Sequence, residues 1–246
     1  MEKRGPSAYI AEFVGTLLLV LFIAIVVSVY ARKGVSTPEF VVIGLLHAFV
    51  LMMLIQTLGG VSGAHFNPAV TVGLASVRKI SVRDAGGYIL VQIVGAIAGA
   101  ALAKLILHEL PGGPNLGNPS ISADLGGKAV LGALAEGVAA FALVWAVMGV
   151  AVNPRADADW AGFVIGATLG LGVFVLAPLT GAAINPARAL GPAIVTGEFI
   201  GGFGTFALAY LVGPLVGGLL AAVGYKLLVL DPTEGGLGDR PIDVLP

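Results

Sequence analysis

The chain has 246 residues, of which 57% are hydrophobic and 11% charged, with a mean hydropathy of +0.99. Soluble domains carry roughly 25% charged residues, so this composition excludes a disordered chain, a soluble enzyme domain and a nucleic-acid binder. It points to a polytopic membrane protein. The net charge of −1 supplies no field for acidic partners, and the lack of cysteine excludes disulfides, thiolate metal sites and cysteine nucleophiles.

A bilayer core of ~30 Å takes about 20 apolar residues per helix, and six stretches reach that length. Tyr9–Tyr30 holds one charge, Glu12. Lys3 and Arg4 precede it in the manner of a signal peptide, but no small-residue cleavage signal follows, so a retained first helix is expected. Phe40–Leu58 holds no charge but contains His47 and Gln56, and Tyr88–Leu107 holds Lys104 near its end. The loop Glu109–Lys128, rich in Gly, Pro and Asn, reads as an external connection between two halves. Ala129–Val152 holds Glu136, Trp160–Leu179 holds no charge, and Thr205–Leu230 holds Lys226 near its end. These runs are too long and too uniformly apolar for barrel strands, so an all-α membrane protein is expected. The polar tail Asp231–Pro246 is expected to be poorly ordered.

Lys and Arg counts in short loops set orientation. Lys3, Arg4, Arg78, Lys79, Arg83, Arg155, Lys226 and Arg240 fall on one side, against Arg32, Lys33, Lys104 and Lys128 on the other. The excess puts both termini in the cytoplasm.

The chain repeats itself. Phe66-Asn67-Pro68-Ala69-Val70 recurs as Ile184-Asn185-Pro186-Ala187-Arg188 at an offset of 118 residues. Ser62-Gly63-Ala64 matches Thr180-Gly181-Ala182, and Val94-Gly95 and Gly99 match Val212-Gly213 and Gly217, at the same offset. Ala11-Glu12 matches Ala135-Glu136. The repeats run from about 8 to 108 and from about 129 to 230. Three spans per repeat is an odd number, so the halves are inverted relative to each other. Glycine, at 37 of 246 residues against a usual ~7%, adds small-xxx-small pairs for close helix contact: Gly95/Gly99, Gly166/Gly170 and Gly213/Gly217.

After each Asn-Pro-Ala come about ten weakly apolar residues, Pro68–Val77 and Pro186–Val195, too short to span but suited to re-entrant half-helices. Asn is a favoured N-cap and Pro a favoured first helical residue, so Asn67-Pro68 and Asn185-Pro186 read as helix starts. Each start carries roughly half a positive charge. Inverted symmetry brings both to the midplane, where two Asn amides and two dipole ends face one passage. Such a site passes small neutral hydrogen-bonding molecules and opposes protons and cations. The backbone before each start is expected to run extended and to line the passage with carbonyls, through Gly63, Ala64, His65 and Phe66 and through Gly181, Ala183 and Ile184. Arg188, an intramembrane charge, faces a cavity by the same logic. No metal-spaced cluster, nucleophile elbow or phosphate-binding loop is present, so no metal, cofactor or catalysis is expected.

Together these motifs resemble the major intrinsic proteins, the aquaporin and glycerol-facilitator family, and within it the archaeal and bacterial aquaporins. The likeness covers nearly the whole chain: Ala11-Glu12-Phe13-Val14-Gly15-Thr16, Ser62 to Thr71, and Asn185-Pro186-Ala187-Arg188 with Gly191-Pro192-Ala193. It implies one channel domain over 1–246, an aquaporin-like right-handed bundle of six transmembrane helices and two half-helices. It further implies a homotetramer in the cell membrane with one pore per subunit. Carried over by spacing from the motif asparagines, the filter is His47, Val173, Ala182 and Arg188. Strict water channels usually have Phe where His47 stands and His where Val173 stands. The set is more like the plant tonoplast type, some of which also pass ammonia or urea, and implies a wider, less polar filter. Ala189 and Ala193 lack the Asp and basic residue typical of glycerol facilitators. The resemblance makes Glu12 and Glu136 supports of the re-entrant loops and His65 a loop-ordering residue. The expected function is a passive water channel, open also to ammonia or other small neutral solutes. The alternatives are a glycerol, urea or ammonia facilitator and, further off, an ion-coupled secondary transporter.

Overall fold

The computed structural model describes residues 5–30 and 37–231. The tail beyond Asp231 and the cations Lys3, Arg4, Arg32, Lys33 and Arg240 lie outside the described residues. The order of elements is α1 (Pro6–Tyr30), α2 (Thr37–Ser62), α3 (Pro68–Ser76), α4 (Val82–Ile106), α5 (Ala129–Val152), α6 (Ala161–Thr180), α7 (Pro186–Thr196) and α8 (Phe203–Leu230). The last turns of α5, over Met148–Val152, widen into π geometry, as α8 does over Ala207–Val212 and Lys226–Leu230. No strand occurs among the described residues.

Six helices (α1, α2, α4, α5, α6 and α8) are long and apolar enough to cross a membrane. Their ends overrun the apolar stretches where a cap permits it. Thus α4 starts at Val82 because Ser81 caps it, its Oγ accepting from the Asp84 N–H at 3.0 Å. The short helices α3 and α7, of 9 and 11 residues, cannot span.

Glycine decides how the long helices meet. Helix α1 packs on α4, α2 on α6, and α5 on α8. A Cβ on Gly95 or Gly99 would strike the Phe13 or Leu17 carbonyl of α1. One on Gly213 or Gly217 would strike the Ala133 or Gly137 carbonyl of α5, and one on Gly166 or Gly170 the Ala48 or Gly44 carbonyl of α2. All three spaced pairs therefore bring backbone onto backbone, the contact that membrane helices use in place of hydrophobic burial. The half-helices cross over: α3 of the first repeat packs on α8 of the second, and α7 of the second on α4 of the first. The tips of α3 and α7 also touch. This exchange locks the two halves together around the midline of the bundle.

Lys79, Arg155 and Lys226 share one end of the bundle with Asp231. Lys104 lies at the opposite end, where its Nζ donates to the Val195 carbonyl at 3.2 Å.

Candidate functional site

The two Asn-Pro-Ala segments start α3 and α7. Asn67 Oδ1 accepts from the Ala69 N–H at 2.9 Å; Asn185 Oδ1 accepts from Ala187 and Arg188 at 3.0 and 3.2 Å. Both caps follow from the free N–H groups of a first turn. With the oxygens so engaged, the amide nitrogens turn outward and cross. Asn67 Nδ2 donates to the Ile184 carbonyl at 3.2 Å, and Asn185 Nδ2 donates to the Phe66 carbonyl at 2.8 Å. Each amide carries a second hydrogen, and both side chains line the same passage. Pro68, Ala69, Pro186 and Ala187 are buried behind them.

The segments before the helix starts are not extended, contrary to the sequence expectation. Gly63, Ala64 and Phe66 have φ of 90°, 51° and 48°; Gly181, Ala182 and Ile184 have 77°, 44° and 58°. Left-handed turns at non-glycine residues cost roughly 1–2 kcal/mol each, and a buried carboxylate offsets that cost. Turning the chain this way aims two successive N–H groups at one glutamate. His65 and Phe66 donate to Glu12 at 2.9 and 2.7 Å, and Ala183 and Ile184 donate to Glu136 at 2.9 and 2.5 Å. Ser62 Oγ and Gln92 Nε2 also donate to Glu12, at 2.7 and 2.8 Å, and Thr180 Oγ1 to Glu136 at 2.6 Å. Both glutamates are fully buried on α1 and α5.

A narrow passage runs past Gly63, Ala64, His65, Phe66, Asn67, Ala183, Asn185, Arg188 and His47, with Leu19, Ile23, Leu51, Leu143 and Leu169 among its apolar walls. Its cavity volume is about 60 Å³. That exceeds the roughly 10–15 Å³ a cavity needs to admit a water molecule. At its end a wider chamber of about 280 Å³ opens beneath residues 115–122. His47 and Arg188 line both spaces and so form the neck; Val173 and Gly181 line only the chamber. Ala182 and Ile184 line neither. Ala182 is 1% exposed, and the Ile184 side chain is turned onto Gly172.

The neck is polar on both sides. His47 Nδ1 lies 2.7 Å from the Ile43 carbonyl, one turn back on α2. A carbonyl can only accept, so Nδ1 carries a ring hydrogen, and the buried Nε2 has no hydrogen-bond partner among the described residues. Opposite, Arg188 Nη1 donates to the Gly117 carbonyl at 2.7 Å, while its Nε has no hydrogen-bond partner among the described residues. His65 is ordered by Thr71, whose Oγ1 lies 3.1 Å from Nδ1, and by the edge of Tyr88.

Several residues escaped the sequence reading. Tyr88 and Tyr210 donate to the Ser62 and Thr180 carbonyls, both at 2.8 Å, and so brace equivalent points. Gln92 bridges Glu12 and Thr71. An uncharged polar residue inside the third apolar stretch was the available signal for Gln92. Gly117 lies in a loop with no repeat partner, so nothing in the sequence marked it.

The comparisons with known proteins agree with this geometry. The family model described as Major intrinsic protein matches residues 3–225. Aquaporin AqpM of Methanothermobacter thermautotrophicus is 36% identical, covering 89% of this chain and 96% of its own length. Glycerol uptake facilitator protein-like 6 of Lactiplantibacillus plantarum is also 36% identical, covering 87% of this chain and 94% of its own. The X-ray structure of the aquaglyceroporin from Plasmodium falciparum shares the fold at a TM-score of 0.72 and 23% identity, over 89% of this chain and 95% of that one. Six membrane-length helices, paired half-helices and full-length relatives together establish that the chain is an integral membrane protein belonging to the major intrinsic protein family.

Proposed function

We propose that the protein is a passive, bidirectional water channel that excludes protons and ions. The observation that carries this reading is the passage itself, apolar-walled, water-sized and running past two Asn amides at the positive ends of two half-helices. A water there gives its oxygen to the amides and turns its hydrogens toward either end. A proton or cation meets roughly half a positive charge from each helix start, followed by Arg188 at the neck. The apolar walls offer a desolvated ion nothing in exchange.

A second reading within the same class has its own support. Val173, in the chamber wall, is small, and Nε2 of a neutral His47 ring accepts hydrogen bonds, so chamber and neck suit small neutral donors such as ammonia. Equal identity to an aquaporin and to a facilitator-like protein leaves the solute to the neck chemistry. The protein works as a homotetramer in the cell membrane with cytoplasmic termini, by the excess of cations at the end that holds Lys79 and Arg155. It runs no reaction.

Stopped-flow light scattering on proteoliposomes tests the reading. Shrinkage faster than in empty vesicles after sucrose shock, and no re-swelling in glycerol, is the expected result. Rapid re-swelling in glycerol transfers the assignment to the facilitators, and shrinkage no faster than in empty vesicles removes the channel.

A further inference from the structure

Arg188 is fixed by little. Its guanidinium has five N–H groups, yet its hydrogen-bond acceptor among the described residues is the Gly117 carbonyl, at 2.7 Å. No carboxylate among the described residues lies within ion-pair distance of it. The position of the guanidinium in the neck is therefore the position of that carbonyl.

The carbonyl is held by a short polar relay leading away from the pore. Asn115 Oδ1 accepts from the Gly117 N–H at 2.9 Å, and the Asn118 N–H closes the turn onto the Asn115 carbonyl at 2.9 Å. Leu116, with φ of 55°, is buried as a plug among Val20, Ala24, Ala96 and Ala100. Its N–H donates to Ser28 Oγ at 3.0 Å, and that hydroxyl donates in turn to Asn115 Oδ1 at 3.4 Å. Ser28 is 2% exposed, sits on α1 and touches no part of the passage. Gly117 has φ of 69°, and a Cβ there would lie 3.3 Å from Arg188 Nη2.

We propose that Ser28 and Asn115 are positioning residues for the neck, and that through the Leu116–Gly117 turn they fix Arg188 and thereby set the solute cut-off. The proposal rests on the channel reading above. Without the Ser28 hydroxyl, the Leu116 N–H and Asn115 Oδ1 lose a shared partner, the Gly117 carbonyl shifts, and the guanidinium swings out of the neck. Water needs less room than glycerol, so the shift is expected to change glycerol passage and leave water passage as it was.

The test is the ratio of glycerol to water permeability in proteoliposomes. Ser28→Ala is expected to raise it about fivefold, the population change that accompanies loss of one hydrogen bond of ordinary net strength. Water permeability is expected to be unchanged, and Ser28→Thr, which keeps the hydroxyl, is expected to match the parent. Asn115→Ala is likewise expected to raise the ratio and stands in if Ser28→Ala does not assemble, with no expectation attached to its water flux because Asn115 lines the chamber. A double-mutant cycle separates positioning from general loosening. In an Arg188→Ala background, adding Ser28→Ala is expected to change nothing further. An unchanged ratio in the single variants, or an equal increment in the Arg188→Ala background, overturns the proposal while leaving the channel reading intact. A parent protein that moves water no faster than empty vesicles overturns both.

Discussion

At the scale of single residues, the site is built on two glutamates and an arginine. Glu12 and Glu136 each take two loop N–H groups that no helix or sheet can satisfy. Glutamine in either place keeps one acceptor and turns an N–H₂ toward a donor, a buried mismatch of about 1–3 kcal/mol. Glu12→Gln and Glu136→Gln are each expected to lower the unfolding midpoint in detergent and to slow water flux, as the asparagine amides lose their register. An unchanged midpoint would show that the carboxylates do not hold the loops. Arg188→Ala is expected to let glycerol re-swell shocked vesicles, by removing both bulk and charge from the neck; re-swelling no faster than in the parent contradicts its role there. The sequence exposed these residues because a charge in an apolar span and a twice-repeated Asn-Pro are conspicuous. It hid the left-handed backbone at Ala64, Phe66, Ala182 and Ile184, since those residue types ordinarily favour extended or helical φ. Only the buried acceptor explains the conformation.

At the scale of helices, packing depends on missing side chains. Gly217 brings α8 onto the Gly137 carbonyl of α5, and a Cβ there would overlap that oxygen. Gly217→Leu is expected to block stable assembly, and even Gly217→Ala to lose about 1–3 kcal/mol through overpacking. Gly86, exposed on α4 with nothing within 4 Å of a built Cβ, is the control. Gly86→Ala is expected to be neutral or to gain up to about 1 kcal/mol from helix propensity. Unfolding midpoints in detergent compare the two; equal effects contradict the account of close packing. The spacing of Gly95/Gly99 and Gly213/Gly217 was legible because four residues make one helical face. Their partners were not, because a period does not say which carbonyl lies opposite. The filter set was legible only by resemblance. His47 and Arg188 meet at the neck, Val173 lines only the chamber, and Ala182, on its left-handed turn, lines neither space.

At the scale of the molecule, the inverted repeat is the reason a sequence could foretell the architecture. Two odd-numbered halves with matched half-helices leave few ways to bury two polar helix starts away from lipid. The part that stayed hidden, the 115–122 turn over the neck, lies between the repeats and is specified by a few scattered hydrogen bonds, to Ser28, Leu179, Arg188, Thr196 and Glu198. An internal pattern cannot announce a segment that has no counterpart. The repeat also bears on the rival class, because a coupled transporter must move its site between the two sides. Here both half-helix starts are cross-linked through Asn67 and Asn185, and both glutamates are occupied by backbone. Flux is accordingly expected to be the same with and without sodium or proton gradients.

The measurement that reaches the central claim most directly records water and proton movement in one vesicle preparation. Proteoliposomes loaded with a pH-sensitive dye are shocked osmotically while a pH gradient is imposed. Shrinkage much faster than in empty vesicles is expected, with dissipation of the pH gradient no faster than in empty vesicles. Proton entry that rises with protein content, or water flux indistinguishable from bare lipid, would contradict it.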